Sequence, residues 1–247
     1  MTAEGSWRSA TDADEVAFVD CVDVDAATLE RFYRDVMEPS FRPDELTGFD
    51  LMRTAYQTPL PGAQGTLAMR SGEPVAGALG EFDSVSGIML LAYLAVRADL
   101  RGQGIGSALL AHVLPRWRAA NDPVAILAEV EDPRSYAPGP YGDPVARLRM
   151  YGRTGWRLLP LPYFQPALRP GLARVHGMLL ICFAAEDAVV PVDDLLAFTD
   201  GYMRSCEGEE AVLNDPDYLA FRDRVKQTPA GVPLWPTSRA HEVPAAT

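Results

Sequence analysis

The sequence predicts an α/β or α+β fold built on a mixed sheet. Three observations carry this expectation. Apolar periodicity gives an element order β-α-α-β-β-β-α-β-α-β followed by further helical segments. The strongest apolar run, residues 88–96, enters a glycine-rich turn that opens a helix. The composition is that of a globular chain: 247 residues, 48% hydrophobic and 23% charged, with mean hydropathy −0.04.

Residues 1–13 are polar and acidic and read as a loose tail. Residues 15–22 form a short apolar run, the first strand. Asp25 is a helix N-cap signal, and Leu29, Phe32, Tyr33 and Val36 then recur at helical spacing. Pro39 and Pro43 end that helix. A second short helix is expected over 44–54, with Leu46, Phe49 and Met52 on one side. Residues 66–70 and 74–82 flank Ser71-Gly72-Glu73 and read as a hairpin. The helix after the glycine turn is expected to run to about Leu114, where Pro115 ends or kinks it. Residues 124–131 are a strand, and the Pro/Gly-rich stretch 132–143 is loop. Asp143-Pro144 pairs an N-cap with proline at the first helical position, and that helix ends at Gly155. Residues 156–161 and 177–183 are the last strands. Residues 191–206 and 215–226 read as amphipathic helices, and 228–247, with four prolines, as an extended or disordered tail.

Several function classes are disfavoured at once. Thirty-four acidic against 22 basic residues give a net charge of −12, opposite to the footprint of a nucleic-acid binder. No run approaches the ~20 apolar residues of a membrane helix. The N-terminal segment lacks the apolar core of a signal peptide, so a cytoplasmic location is expected. All basic residues but Lys226 are arginine, which reads as GC-rich coding in a bacterial genome. Cys21, Cys182 and Cys206 are far apart, as are His112, His176 and His241, so neither a disulfide framework nor a metal site is expected.

The segment from Arg101 to Ser107 (Arg-Gly-Gln-Gly-Ile-Gly-Ser) carries most of the chemistry. A strand ends, glycines turn the chain, and a helix begins with unpaired N–H groups and a positive dipole end. Gly102, Gly104 and Gly106 let a bulky anion approach the backbone, and Arg101 adds a lateral charge; a pyrophosphate fits this chemistry. The P-loop pattern requires Lys-Ser/Thr after its last glycine, where this chain has Ser107-Ala108. The dinucleotide fingerprint fails on spacing, since Leu109 falls at the final glycine position counted from Gly104.

The pattern that matches is Arg-x-x-Gly-x-Gly at Arg101, Gly104 and Gly106, after a strand ending Tyr93-Leu-Ala-Val96. A second match is Tyr151 followed by Gly155-Trp156 in a helix-turn-strand element. With these motifs in order, residues 15–183 resemble the GCN5-related N-acetyltransferases (GNAT), an acyl-CoA-dependent superfamily. The resemblance implies a mixed, mostly antiparallel sheet flanked by helices, a catalytic domain over 1–184, and a helical extension with a Pro-rich tail over 185–247 packed on it. It implies acetyl-CoA as cosubstrate, no metal, and a primary amine of a small molecule as acceptor, attacked directly; a homodimer is compatible with it. Backbone groups of Leu94, Ala95 and Val96 would hold the pantetheine arm, and Arg101, Gly102, Gln103, Gly104, Ile105, Gly106 and Ser107 the pyrophosphate. Tyr151 matches the tyrosine that protonates the departing thiolate. One departure is Pro144, where similar proteins often carry asparagine.

The general base stays open. Residues 87–97 hold no acid or histidine. The candidates are Glu129, ranked first, then Glu81, with Glu131 on the same strand face as Glu129 and suited to an ammonium group. The loop 132–143 is long enough to fold over the acceptor, with Arg134, Tyr136 and Tyr141 as contacts; Tyr93 and the aromatic run from Tyr163 to Leu168 are further candidate walls. Two other readings remain: a non-catalytic acyl-CoA-binding module, motivated by the missing acid on the central strand, and a protein-lysine acetyltransferase.

Overall fold

The computed structural model describes residues 15–58, 60–185 and 187–245. The expected tail at 1–13 lies outside them. Eight strands run in the order β1 (Val16–Asp20), β2 (Ala63–Arg70), β3 (Glu73–Asp83), β4 (Ile88–Val96), β5 (Ala125–Glu131), β8 (Val175–Phe183), β6 (Trp156–Leu158) and β11 (Trp235–Pro236) across one sheet. A further strand, β7 (Tyr163–Gln165), also pairs with β8. Only β4 and β5 are parallel; the other pairs are antiparallel, as expected.

Helices cover both faces. On one side α3 (Ile105–Asn121) and α4 (Pro144–Arg153) bury Leu109, Val113, Trp117, Leu148 and Tyr151 against the sheet. On the other, α1 (Ala26–Phe32) and α2 (Phe49–Gln57) pack around Phe32, Met52 and Tyr56. Beside them α5 (Val192–Glu207), α6 (Glu209–Asn214) and α7 (Pro216–Lys226) bury Leu195, Phe198, Val212 and Phe221 over β5, β7 and β8. Local chemistry explains the ends. The Asp25 carboxylate accepts from Thr28 N at 2.7 Å, and Asp143 accepts from Val145 N and Ala146 N at 2.9 and 3.2 Å.

The feature that positions the site is a bulge in β4. Leu79 faces Tyr93 and Gly80 faces Leu91, so Ala92 is an extra residue. The alternation shifts there. Ile88 and Leu90, then Tyr93 and Ala95, face the α1/α5 side; Met89 and Leu91, then Leu94 and Val96, face the α3 side. Pairing between β4 and β5 also ends there, at Leu91 opposite Ala128. Beyond it the two strands part.

Three expectations are corrected. Helix α3 does not stop near Pro115 but continues to Asn121. Its Trp117 is only 2% exposed and stands against Gly80, where a Cβ would lie 2.8 Å from the indole. That packing outweighs the backbone hydrogen bond that proline removes. The second helix begins at Phe49, not 44, because Gly48 takes a φ of 93° and turns the chain there. The segment after 228 is not a free tail. It adds β10 (Val232–Pro233) beside β9 (Val189–Val190) and β11 beside β6, and it buries Val232, Leu234, Ala240 and Val243. The sequence reading also missed β7 and α6.

Trp117→Ala is expected to cost about 3–5 kcal/mol in urea unfolding. A helix ending at Pro115 would instead leave the substitution at the surface, within about 0.5 kcal/mol of neutral.

Candidate active site

The parted strands open a cleft of about 460 Å³. Its floor is Leu91, Ala92, Leu94, Ala95 and Val96 on one side and Glu129, Val130 and Glu131 on the other. The glycine turn closes one end and the α4 residues Arg147, Met150 and Tyr151 one wall. Ser40, Phe41 and Glu45 come from the segment after α1, and Tyr141 and Gly142 from the loop before α4.

The turn end attracts anions. Gly102 and Gly104 have φ of 79° and 86°, and a Cβ at either would meet open space within 4 Å. Glycine is required there by the left-handed backbone, not by crowding. Among the described residues, the N–H groups of residues 102–107 donate to no protein acceptor; the first helical bond is Ala108 N to Gly104 O at 2.9 Å. The dipole of the 17-residue α3 adds partial positive charge. Arg101 donates to Val96 O at 3.1 Å and Ser40 Oγ at 3.0 Å, which ties the turn to the strand end. Burial, and then the Arg147 charge, hold its pKa below the usual arginine value.

Glu129 stands in the parting. It accepts from Tyr163 Oη at 2.6 Å, Gln165 Nε2 at 2.8 Å and Tyr202 Oη at 3.4 Å. Protein encloses it except toward the cleft, where it keeps an opening. Burial pushes its pKa up to about 7 despite those three donors, and Glu45 adds a smaller repulsion. The cause is therefore desolvation, not pairing with Glu131. Glu131 is 3% exposed and held by Arg42 at 3.1 Å and Arg147 at 2.9 Å. Arg42 lies over the Tyr136 ring at 4.7 Å and the Tyr141 ring at 4.9 Å. The loop 132–143 thus closes on the cleft through Arg42.

Tyr151 lines the cleft with its ring edge-on to Trp156, centroids 5.2 Å apart. Burial pushes its pKa up to about 12. Among the described residues its hydroxyl has no hydrogen-bond partner. The remaining sequence candidates lie off the cleft. Glu81 is exposed and accepts from Tyr56 Oη at 2.8 Å. Tyr93 donates to Glu45 O at 3.1 Å and accepts from Thr47 N at 3.2 Å. Tyr136 donates to His176 O at 2.6 Å, and Gln103 Nε2 to Asp99 O at 3.4 Å. Arg134 is held by Asp132 and donates to the carbonyls of His241 and Val243 at 3.1 and 2.8 Å. Sequence reasoning missed Glu45 and Tyr202 as site residues and reached Gln165 only as part of the candidate wall from Tyr163 to Leu168. No motif flags them, because each reaches the site only through long-range packing. Among the described residues no group of three or more His, Cys, Asp or Glu is placed to hold a metal ion.

A mixed, mostly antiparallel sheet, parted beside a glycine-turn helix and flanked by helices, is the GNAT fold. Residues 29–137 match the model of the acetyltransferase (GNAT) family. Among solved structures it is similar to a protein from Bacteroides thetaiotaomicron assigned to the GNAT acetyltransferases. That likeness has 20% identity and a TM-score of 0.52 over 70% of this chain and 89% of the other. It is also similar to the ribosomal-protein-S18-alanine N-acetyltransferase of Escherichia coli, with 14% identity and a TM-score of 0.47 over 70% and 99% of the two chains. Ard1 from Thermoplasma volcanium gives 15% identity and a TM-score of 0.48 over 68% and 97%. No curated protein matches the chain in sequence. Among the described residues no helix is long and apolar enough to cross a membrane.

Glu129 gives a stability prediction with a definite sign. Its folded pKa is raised, so its contribution is complete below pH 4.5 and is lost as pH rises through about 7. Between pH 4.5 and 8, Glu129→Gln is expected to gain up to about 3 kcal/mol relative to the wild type in denaturant titrations. An unchanged difference would mean that Glu129 ionises freely in the fold.

Proposed function

We propose that the protein moves an acetyl group from acetyl-CoA to a primary amine of a small molecule by direct attack. Residues 1–184 would form the catalytic domain, with 185–247 completing it. The observation that carries this reading is Glu129: a carboxylate with its pKa near neutrality, opening onto the cleft between the parted strands. At neutral pH a substantial fraction is ionised and can take a proton from an attacking amine.

The residues fit the donor. The unpaired N–H groups at 102–107 suit a pyrophosphate, and Arg101 adds charge beside them. Beyond Leu91, the β5-facing edge of β4 has no strand partner and suits an amide-bearing arm laid alongside it. Bound there, acetyl-CoA supplies the activated acyl group. A backbone N–H of 94–96 would polarise its carbonyl. Tyr151 holds a proton at its Oη with no competing partner among the described residues, and its raised pKa keeps it protonated at neutral pH. It would deliver that proton to the departing sulfur. Tyr163, Gln165 and Tyr202 orient Glu129 from behind. Arg42 and Glu131 fasten the loops that exclude water.

With acetyl-CoA and an amine panel, kcat/KM is expected to rise with first-power pH dependence through about 7. Glu129→Gln should flatten that limb and lower the rate by roughly 10²–10⁴, the usual range for a lost general base. Tyr151→Phe should lower kcat by at least about 10-fold with KM for acetyl-CoA unchanged. Gly104→Glu should abolish acetyl-CoA binding in calorimetry while the protein stays folded. Full activity of both Glu129→Gln and Tyr151→Phe would leave the non-catalytic acyl-CoA-binding module as the better account.

A further inference from the structure

The cleft holds a second carboxylate, Glu45, for which no ion pair is formed among the described residues. We propose that Glu45 selects the acceptor, recognising a single ammonium group carried on an otherwise apolar body. This rests on the acyl-transfer reading above and names the chemistry of its second substrate.

Glu45 is 7% exposed yet lines the cleft. Its Oε2 accepts from Arg42 N at 2.6 Å. Among the described residues its Oε1 has no donor. With no protein donor, and not among the fully buried unpartnered atoms, Oε1 is the carboxylate oxygen left open to a ligand in the cleft. Burial holds its pKa above the usual carboxylate value; the Glu131 charge pushes the same way, while the Arg42 N–H and the charges of Arg147 and Arg42 partly oppose it.

The neighbouring cations are already engaged. Arg42 and Arg147 both bond Glu131, at 3.1 and 2.9 Å. Arg42 is further held between the Tyr136 and Tyr141 rings, and Arg147 donates to Tyr141 O at 2.7 Å. Arg101, bonded to Val96 O and Ser40 Oγ, keeps its charge at the glycine-turn end of the cleft. Among the described residues neither Glu45 nor Glu129 forms an ion pair of its own, and the two are close enough that Glu45 raises the Glu129 pKa. The missing partner comes from outside, as an ammonium.

The surroundings set the rest of the ligand. Phe41, Leu91 and Met178 give the cleft apolar surface. The Phe41 ring is fixed edge-on to Tyr93 at 5.2 Å. An acceptor with a carboxylate beside its amine would set that carboxylate against Glu45 and Glu129. The proton balance is simple. The ammonium captured by Glu45 gives one N–H proton to Glu129; the freed lone pair forms the N–C bond as the thioester C–S bond breaks, the departing sulfur takes the Tyr151 proton, and the surplus proton on the new amide nitrogen restores Tyr151.

The test is calorimetric titration of n-butylamine, n-butanol and n-butyrate into the full chain at pH 7.5, both free and saturated with desulfo-CoA. Butylammonium is expected to bind the wild type and butyrate not to. Glu45→Gln keeps the acceptor for Arg42 N but removes the charge, and it should weaken butylammonium about 10-fold or more, the scale of a lost charge-assisted bond. Butanol should not distinguish the two proteins. Equal butylammonium affinity in wild type and Glu45→Gln, or no binding by the wild type, would overturn the proposal. Desulfo-CoA is read separately. If the wild type fails to bind it, the acyl-transfer reading falls, and the titration of the free protein still decides whether Glu45 is an ammonium receptor.

Discussion

The site depends on one extra residue in one strand. Ala92 has no partner of its own on β3, and at that point β4 stops pairing with β5. A bulge bends its strand and sharpens the local twist, so two strands paired from Ile88 to Leu91 cannot stay paired to Val96. The consequence is an unpaired sheet edge inside the molecule. Elsewhere such an edge invites aggregation. Here it faces a cleft bounded by α3 and α4, which shields it from other chains while leaving its N–H and C=O groups free for a ligand.

The same geometry separates the cleft into two electrostatic halves. At the α3 end, free N–H groups, the helix dipole and Arg101 favour an anion. Toward Glu45 and Glu129 the bias reverses, because the nearby guanidinium groups are committed to Glu131. Burial strengthens both halves, since a charge taken from water interacts more strongly with whatever faces it. A ligand pair with an anionic nucleotide at one end and a cation at the other matches that division without any rearrangement of charge. The chain's net charge of −12 favours the second partner in the encounter and opposes the first, so the anion must be won locally, by the backbone of the turn.

Sequence patterns reached the parts of this arrangement that are local. The caps at Asp25 and Asp143, the hairpin around Gly72 and the turn at 102–104 are each fixed by residues adjacent in the chain, so each was legible. Glu129 could be shortlisted because it and Glu131 stand two apart on one face, late in the strand after the glycine-turn helix. What made it special was not legible. Its donors come from Tyr163, Gln165 and Tyr202, which are 34, 36 and 73 residues away. Pro115 misled for the complementary reason: local chemistry argues for a helix end, and the distant contact between Trp117 and Gly80 overrules it. Glu45 was hidden because a carboxylate three residues after Arg42 reads as surface until the fold buries it.

The helical extension bears on the chemistry through the same long-range logic. Tyr202 lies on α5, outside the residues 29–137 that define the family match, yet its hydroxyl reaches Glu129. The α5 and α7 side chains Phe198 and Phe221 share the core that encloses β5 and β7. Without that cover Glu129 would meet water on its far side, and desolvation, the largest cause of its raised pKa, would fall away. A carboxylate at its ordinary pKa would be ionised at neutral pH but would be a weaker base by about two orders of magnitude in proton affinity. The extension is therefore better understood as part of the acid–base apparatus than as an appendage, and the strap of residues 232–243 extends that role to the opposite wall. It pairs with β6, buries Ala240 and Val243 in the cluster that contains Tyr151, and is fastened to the loop 132–143 by Arg134. Segments outside the family core thus brace the surroundings of both groups that the proposed transfer requires, the one that takes a proton and the one that gives it.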